Sequence, residues 1–112
     1  MELSLAVIGG KWKPLILWHL RETPTMRFSA LRRTMPTITQ KMLTQQLREL
    51  ESDGLLTRTV FAEVPPRVEY ALTDLGRGII PILEALCRFG KEFEARFGVE
   101  PADAAAAATA QR

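Results

Sequence analysis

The chain has 112 residues, 46% hydrophobic and 25% charged, with a formal net charge of +2 and a single cysteine, Cys87. That length fits one domain burying roughly two-thirds of its unfolded surface, no apolar run is long enough to span a bilayer, and a lone cysteine excludes an internal disulfide. Met1-Glu2 with the apolar segment Leu3 to Ile8 is too short and wrongly charged for a secretory signal, so a cytoplasmic location is expected.

Leu3 to Ile8 reads as a short helix stopped by Gly9-Gly10, where continuing the helix is entropically costly. A second helix starts near Lys11, with Pro14 tolerated in its first turn and Trp12, Leu15, Ile16, His19 and Leu20 on a buried face. Thr23-Pro24 ends it. Phe28 to Met35 is helical, with Phe28 and Leu31 inward and Arg32 and Arg33 outward, until Pro36-Thr37 stops it. Thr39 then caps a helix reaching Asp53, in which Leu43, Leu47 and Leu50 form an inward stripe, and Gly54 supplies the positive-φ stop. Gln40, Lys41, Thr44, Gln45 and Arg48 fall largely on its other sides.

Leu55 to Phe61 and Val68 to Leu72 have the β-branched and aromatic content of two antiparallel strands, joined by a loop stiffened by Pro65 and Pro66. Thr73 caps a last helix running to about Phe97, with Pro81 either bending it or setting back its start. The apolar residues of that helix, Ile79, Ile80, Ile82, Leu83, Leu86, Cys87, Phe89 and Phe93, occupy more than one face, which predicts burial against a second subunit. From Gly98 onward, Pro101 and the alanine run read as a frayed or disordered tail. The expected fold is mainly α with a small β-ribbon (α+β): a winged helix-turn-helix over residues 1–97.

Charge placement gives that order of elements a purpose. A net charge of +2 is too small to attract nucleic acid globally, so distribution decides. Residues 1–70 hold ten Lys/Arg against seven Asp/Glu, and 71–112 hold five against six. No acidic residue falls between Glu22 and Glu49, whereas Arg27, Arg32, Arg33, Lys41 and Arg48 all do. A helix in the major groove meets base edges mainly through its N-terminal half, and Gln40, Thr44, Gln45 and Arg48 have the donors, acceptors and methyl to read them. Thr37, Thr39 and Lys41, beside the positive end of the helix dipole, suit phosphate, as do Arg32 and Arg33. Arg67 either reaches a minor groove or phosphate from the stiff ribbon, or pairs with Glu63 or Glu69 on the surface. A polar helix face alone is usually only solvated; helix, turn, capped helix and ribbon together favour double-stranded DNA.

Other chemistry is sparse. Cys87, among Leu83, Leu86 and Phe89, is expected to be buried as a small hydrophobe, with a redox role or an intersubunit disulfide as the lesser alternatives. His19 is expected to be a hydrogen-bonded core residue, and Glu49, Glu51 and Asp53 solvated charge. One histidine and one cysteine far apart assemble neither a metal site nor a nucleophile-base pair, so no enzyme, metal or cofactor is expected. Trp12, Trp18 and Phe89 can line a small-molecule effector pocket, although plain dimer core is preferred.

The most specific segments are Ile8-Gly9-Gly10-Lys11-Trp12, Arg27-Phe28-Ser29-Ala30-Leu31-Arg32, Ile38 to Glu51, Asp53-Gly54-Leu55, and Glu63-Val64-Pro65-Pro66-Arg67-Val68-Glu69-Tyr70. In that order they resemble the HxlR-type winged helix-turn-helix regulators of bacteria and archaea, over nearly everything up to about Phe93. The resemblance implies a homodimer on a pseudo-palindromic operator, with Thr39 to Leu50 as recognition helix and Val64 to Arg67 as wing tip. It further implies a dimer interface through the terminal helices, for which Leu3, Ile8, Ile79, Leu83, Leu86, Phe89 and Phe93 are the candidates. Many members have a sensing cysteine shortly before the Gly-Gly-Lys-Trp segment; this sequence has none there, which speaks against thiol sensing by that route or for a truncated N-terminus. The alternative to a DNA-reading regulator is a winged-helix module that binds a protein partner without reading DNA.

Overall fold

The computed structural model describes residues 1–98, so the expectation of a disordered tail from Gly98 falls almost wholly outside the described residues. Its elements are α1 (Glu2–Ile8), α2 (Trp12–Leu20), β1 (Met26–Arg27), α3 (Phe28–Arg33), α4 (Gln40–Ser52), β2 (Leu56–Phe61), β3 (Arg67–Leu72), α5 (Asp74–Arg77) and α6 (Ile80–Phe97). The chain divides into two units, Met1–Ile80 and Pro81–Arg112.

The core of the first unit is assembled by helical periodicity. Ile16, Leu17 and Leu20 of α2, Leu31 of α3, and Leu43, Leu47 and Leu50 of α4 are all buried, as are Met35 and Ile38 in the turn between α3 and α4. Positions 43, 47 and 50 follow i, i+4, i+7, which puts them in one row along α4. Each such side chain contributes about 1.5–3 kcal/mol by leaving water. The buried face of α2 is rotated from the expected one: Lys13, Ile16, Leu17 and Leu20 are buried, whereas Trp12, Leu15 and His19 are only half-buried. Trp12 and Trp18 keep one ring face for a cation instead, Lys11 Nζ lying 4.6 Å and the Arg21 guanidinium 3.7 Å from the respective ring centres.

The sheet has the order β1-β3-β2, all antiparallel. The ribbon β2-β3 pairs Leu56 with Leu72 through to Phe61 with Arg67, and the two-residue β1, absent from the sequence reading, adds Met26 opposite Tyr70 and Arg27 opposite Glu69. Contacts at one corner tie the ribbon to the helices. Gly54, with φ 77°, reverses the chain after α4, and the Leu55 N–H donates to the Leu50 carbonyl at 2.9 Å. Gly76 passes so close to Leu55 that a Cβ there would collide with the Leu55 carbonyl oxygen. Thr73 closes the same corner, its hydroxyl accepting from the Gly76 N–H at 3.0 Å and donating to the Gly54 carbonyl at 2.6 Å.

The expected single last helix is two, α5 and α6. Pro81 lacks an N–H and sits in the first turn of α6, the one helical position where that loss costs nothing, so it sets back the helix start. In the second unit, Ile82, Leu86, Phe89, Phe93 and Phe97 are exposed along α6, with the Phe93 and Phe97 rings 4.7 Å apart. Leu83, expected at a subunit interface, is already buried within the single chain. Cys87, expected to be buried, is exposed.

Replacing Leu47, which is 1% exposed, with alanine removes the middle of the α4 stripe. We expect a loss of about 2–5 kcal/mol of folding stability, read as the shift in a urea unfolding midpoint at unchanged slope.

Candidate nucleic-acid interface

The helix-turn-helix is built from α3, residues 34–39 and α4. Thr34 donates its hydroxyl to the Leu31 carbonyl at 2.6 Å, closing α3, and the Ile38 N–H donates to the Met35 carbonyl at 3.1 Å within the turn. The buried Met35 and Ile38 hold the turn to the core. Thr39, in extended conformation, accepts from the Met42 N–H at 3.0 Å and so starts α4 as expected.

The outward face of α4 is a shallow depression lined by Gln40, Lys41, Thr44, Gln45, Arg48 and Glu49. Gln40, Lys41, Gln45 and Arg48 are exposed. Thr44 is half-buried and its hydroxyl donates to the Gln40 carbonyl at 2.8 Å, which commits that proton to the helix and leaves the methyl as its contact group. Arg32, Arg33 and Thr37 are exposed on α3 and the turn. Among the described residues, Arg27, Arg32, Arg33, Lys41 and Arg48 make no ion pair, each pair found lying elsewhere. Five cations on or beside one motif keep their charge available.

Two of the acids nearby are paired. Glu49, expected to be solvated, lies 3.5 Å from Lys13 Nζ, and Glu51 lies 3.4 Å from Arg58 Nε. Lys13 is the buried cation of α2 and was missed in the sequence; the signal was its i, i+3, i+4, i+7 relation to Ile16, Leu17 and Leu20. Tyr70, beside Arg58, Glu51 and Arg48, has its hydroxyl pushed above the usual phenol range chiefly by burial and stays a neutral donor. Arg67 opens β3 and forms the surface ion pairs weighed for it, to Glu63 at 3.5 Å and Glu69 at 3.1 Å. His19 is half-buried, without the expected side-chain hydrogen bond among the described residues; burial first, then Arg21, lowers its pKa, so the imidazole is neutral near pH 7. Leu3 is exposed, and Ile8 and Ile79 are half-buried. No helix among the described residues is long and apolar enough to cross a membrane.

A capped helix behind a tight turn, with a two-stranded ribbon after it, defines a winged helix-turn-helix. Residues 7–97 match the family model described as HxlR-like helix-turn-helix. The chain belongs to that family, whose similar members are transcriptional regulators. An uncharacterised HTH-type transcriptional regulator of Methanothermobacter thermautotrophicus is 55% identical over 93 residues, covering 83% of this chain and 70% of the relative. Among solved structures, the HTH-type transcriptional regulator YtcD is 54% identical with a TM-score of 0.78, covering 82% of this chain and 93% of that one. The redox regulator HypR in its oxidised form is 48% identical with a TM-score of 0.76, covering 81% and 93%.

The Lys13–Glu49 pair is lopsided, the lysine side chain being 11% exposed and the carboxylate 46%. Glu49→Ala strands a buried ammonium, whereas Lys13→Met leaves a carboxylate that water reaches. Glu49→Ala is therefore expected to cost about 1–3 kcal/mol and Lys13→Met distinctly less. Thermal melts of the two variants side by side check the order.

Proposed function

We propose that the protein is a homodimeric transcriptional regulator that reads a pseudo-palindromic operator in double-stranded DNA through α4. The observation that supports this reading most is the capped α4, which buries its leucine stripe and presents Gln40, Gln45 and Arg48 outward beside cations without ion pairs. Glutamine pairs bidentately with adenine and arginine with guanine, each good pair discriminating by about 1–3 kcal/mol, and the Thr44 methyl suits a thymine methyl. Thr37, Thr39, Lys41, Arg32 and Arg33 serve phosphate. This assigns base reading and backbone positioning to different residues of one motif.

The second copy of the chain is the partner that suits the unpartnered apolar row of α6. Leu86, Phe89 and Phe93 are exposed at i, i+3, i+7 spacing, as a helix seam requires, and Leu3 adds apolar surface on α1. Thiol chemistry within these 112 residues runs through Cys87, which its exposure on α6 leaves accessible in the single chain. A small-molecule effector remains outside this reading.

Selection from a random duplex library at physiological salt tests the assignment. Wild-type protein is expected to enrich an inverted repeat with half-sites about 10–10.5 base pairs apart, or a multiple of that. Gln45→Ala or Arg48→Ala should relax one symmetric position per half-site; uniform weakening over all sequences would count against base reading. Arg33→Ala should instead weaken every duplex alike, and lower the slope of log affinity against log salt by about one for a lost phosphate contact. Titrations at four or five salt concentrations measure it.

A further inference from the structure

One arginine of the winged motif behaves unlike the others. Arg27, Arg32, Arg33 and Arg48 are exposed, whereas the Arg67 side chain is 28% exposed and engaged on three sides. Its Nη2 lies 3.5 Å from Glu63 Oε1, its Nε 3.1 Å from Glu69 Oε2, and its guanidinium carbon 4.0 Å from the ring centre of Phe61, its cross-strand neighbour. The Nε contact is an ion pair rather than an aligned hydrogen bond. Glu69 also accepts from the Thr25 hydroxyl at 2.6 Å, and the Glu63 N–H donates to the Phe61 carbonyl at 2.9 Å. A continuous polar path therefore runs from Thr25, just before β1, through β3 and into the wing loop.

We propose that Arg67 is a positioning residue: it clamps the wing loop to the sheet and offsets part of the charge of Glu63 and Glu69, instead of contacting DNA itself. The inference rests on the DNA-reading function above. A planar guanidinium can stack on Phe61 and face two carboxylates at once, which a lysine ammonium cannot do. Glu63 and Arg67 line a shallow groove that also includes Arg27 and Ser29 at the start of α3. Without the guanidinium, two carboxylates would stand uncompensated on a surface that has to approach phosphate. With it, the Glu63–Arg67–Glu69 cluster has one net negative charge and a fixed shape.

The test compares Arg67→Lys, Arg67→Gln and the triple variant Arg67→Gln/Glu63→Gln/Glu69→Gln with wild type, on the duplex that wild type enriches. Amide hydrogen exchange in the DNA-free protein is read alongside affinity. A clamp predicts that Arg67→Lys speeds exchange of the Glu63 amide by about tenfold and weakens binding nearly as much as Arg67→Gln. It also predicts that the triple variant regains most of the affinity lost by Arg67→Gln. A phosphate contact predicts the reverse, because lysine neutralises phosphate as well as arginine does. Wild-type-like binding and exchange in Arg67→Lys, or no recovery in the triple variant, overturns the proposal. If wild type enriches no duplex, the DNA reading fails, while Glu63 exchange in the free protein still supports or overturns the clamp.

Discussion

Burial of the Leu43, Leu47 and Leu50 row against the core fixes the rotation of α4 about its own axis, and the rest of the interface depends on that rotation. Side chains three and four apart share a face, so once one row is inward the residues between them have no choice but to point out. The same rule turns a hydrophobic requirement into a chemical display: Gln40, Gln45 and Arg48 are outward because 43, 47 and 50 are inward. Met35 and Ile38 extend the anchor into the turn and leave α3 and α4 little freedom to separate. A surface built in this way needs no strain, and its donors are held in place by packing several residues away.

Electrostatics then sorts the charged groups into two sets. Cations within the acid-free stretch, Arg27 to Arg48, make no ion pair among the described residues, while Glu49 and Glu51 at the far end of α4 are each held by a basic residue from another element, Lys13 and Arg58. An exposed ion pair such as Glu51–Arg58 contributes little to stability, roughly 0–1 kcal/mol. Its larger effect here is on the field: a paired carboxylate repels an approaching polyanion less than a bare one, and an unpaired arginine attracts it more.

Much of this was legible in the sequence, because the signals involved are local. The Thr39 cap, the leucine row, the Gly54 stop and the ribbon ends all depend on residue identity within a few positions. The misses share a different character. The face of α2 was ambiguous because Trp12-Lys13-Pro14-Leu15-Ile16-Leu17-Trp18 is apolar nearly all round, so periodicity alone could not choose Lys13 over Trp12 for the inside. Strand β1 has two residues, too few for any alternation to register. Cys87 was expected inside and is exposed, because a helix that is apolar on several sides does not say by its spacing which side is covered. Tertiary partners decided each of these cases, and partners distant in sequence leave no spacing to read.

Arg67 shows how the same side chain takes opposite roles under those rules. An arginine at the tip of a ribbon that follows a basic helix-turn-helix invites the reading of a phosphate contact, and its neighbours Pro65 and Pro66 support a rigid, projecting ribbon. What distinguishes it is the pleat: residues i and i+2 of a strand lie on one face, so Glu69 is beside Arg67, and antiparallel register brings Phe61 directly opposite. A guanidinium in that setting is enclosed by its own sheet. The cations of α3 and α4 sit on helix faces turned away from any such neighbour. Secondary structure, by deciding which residues stand side by side, thus decides which positive charges remain available to a polyanion.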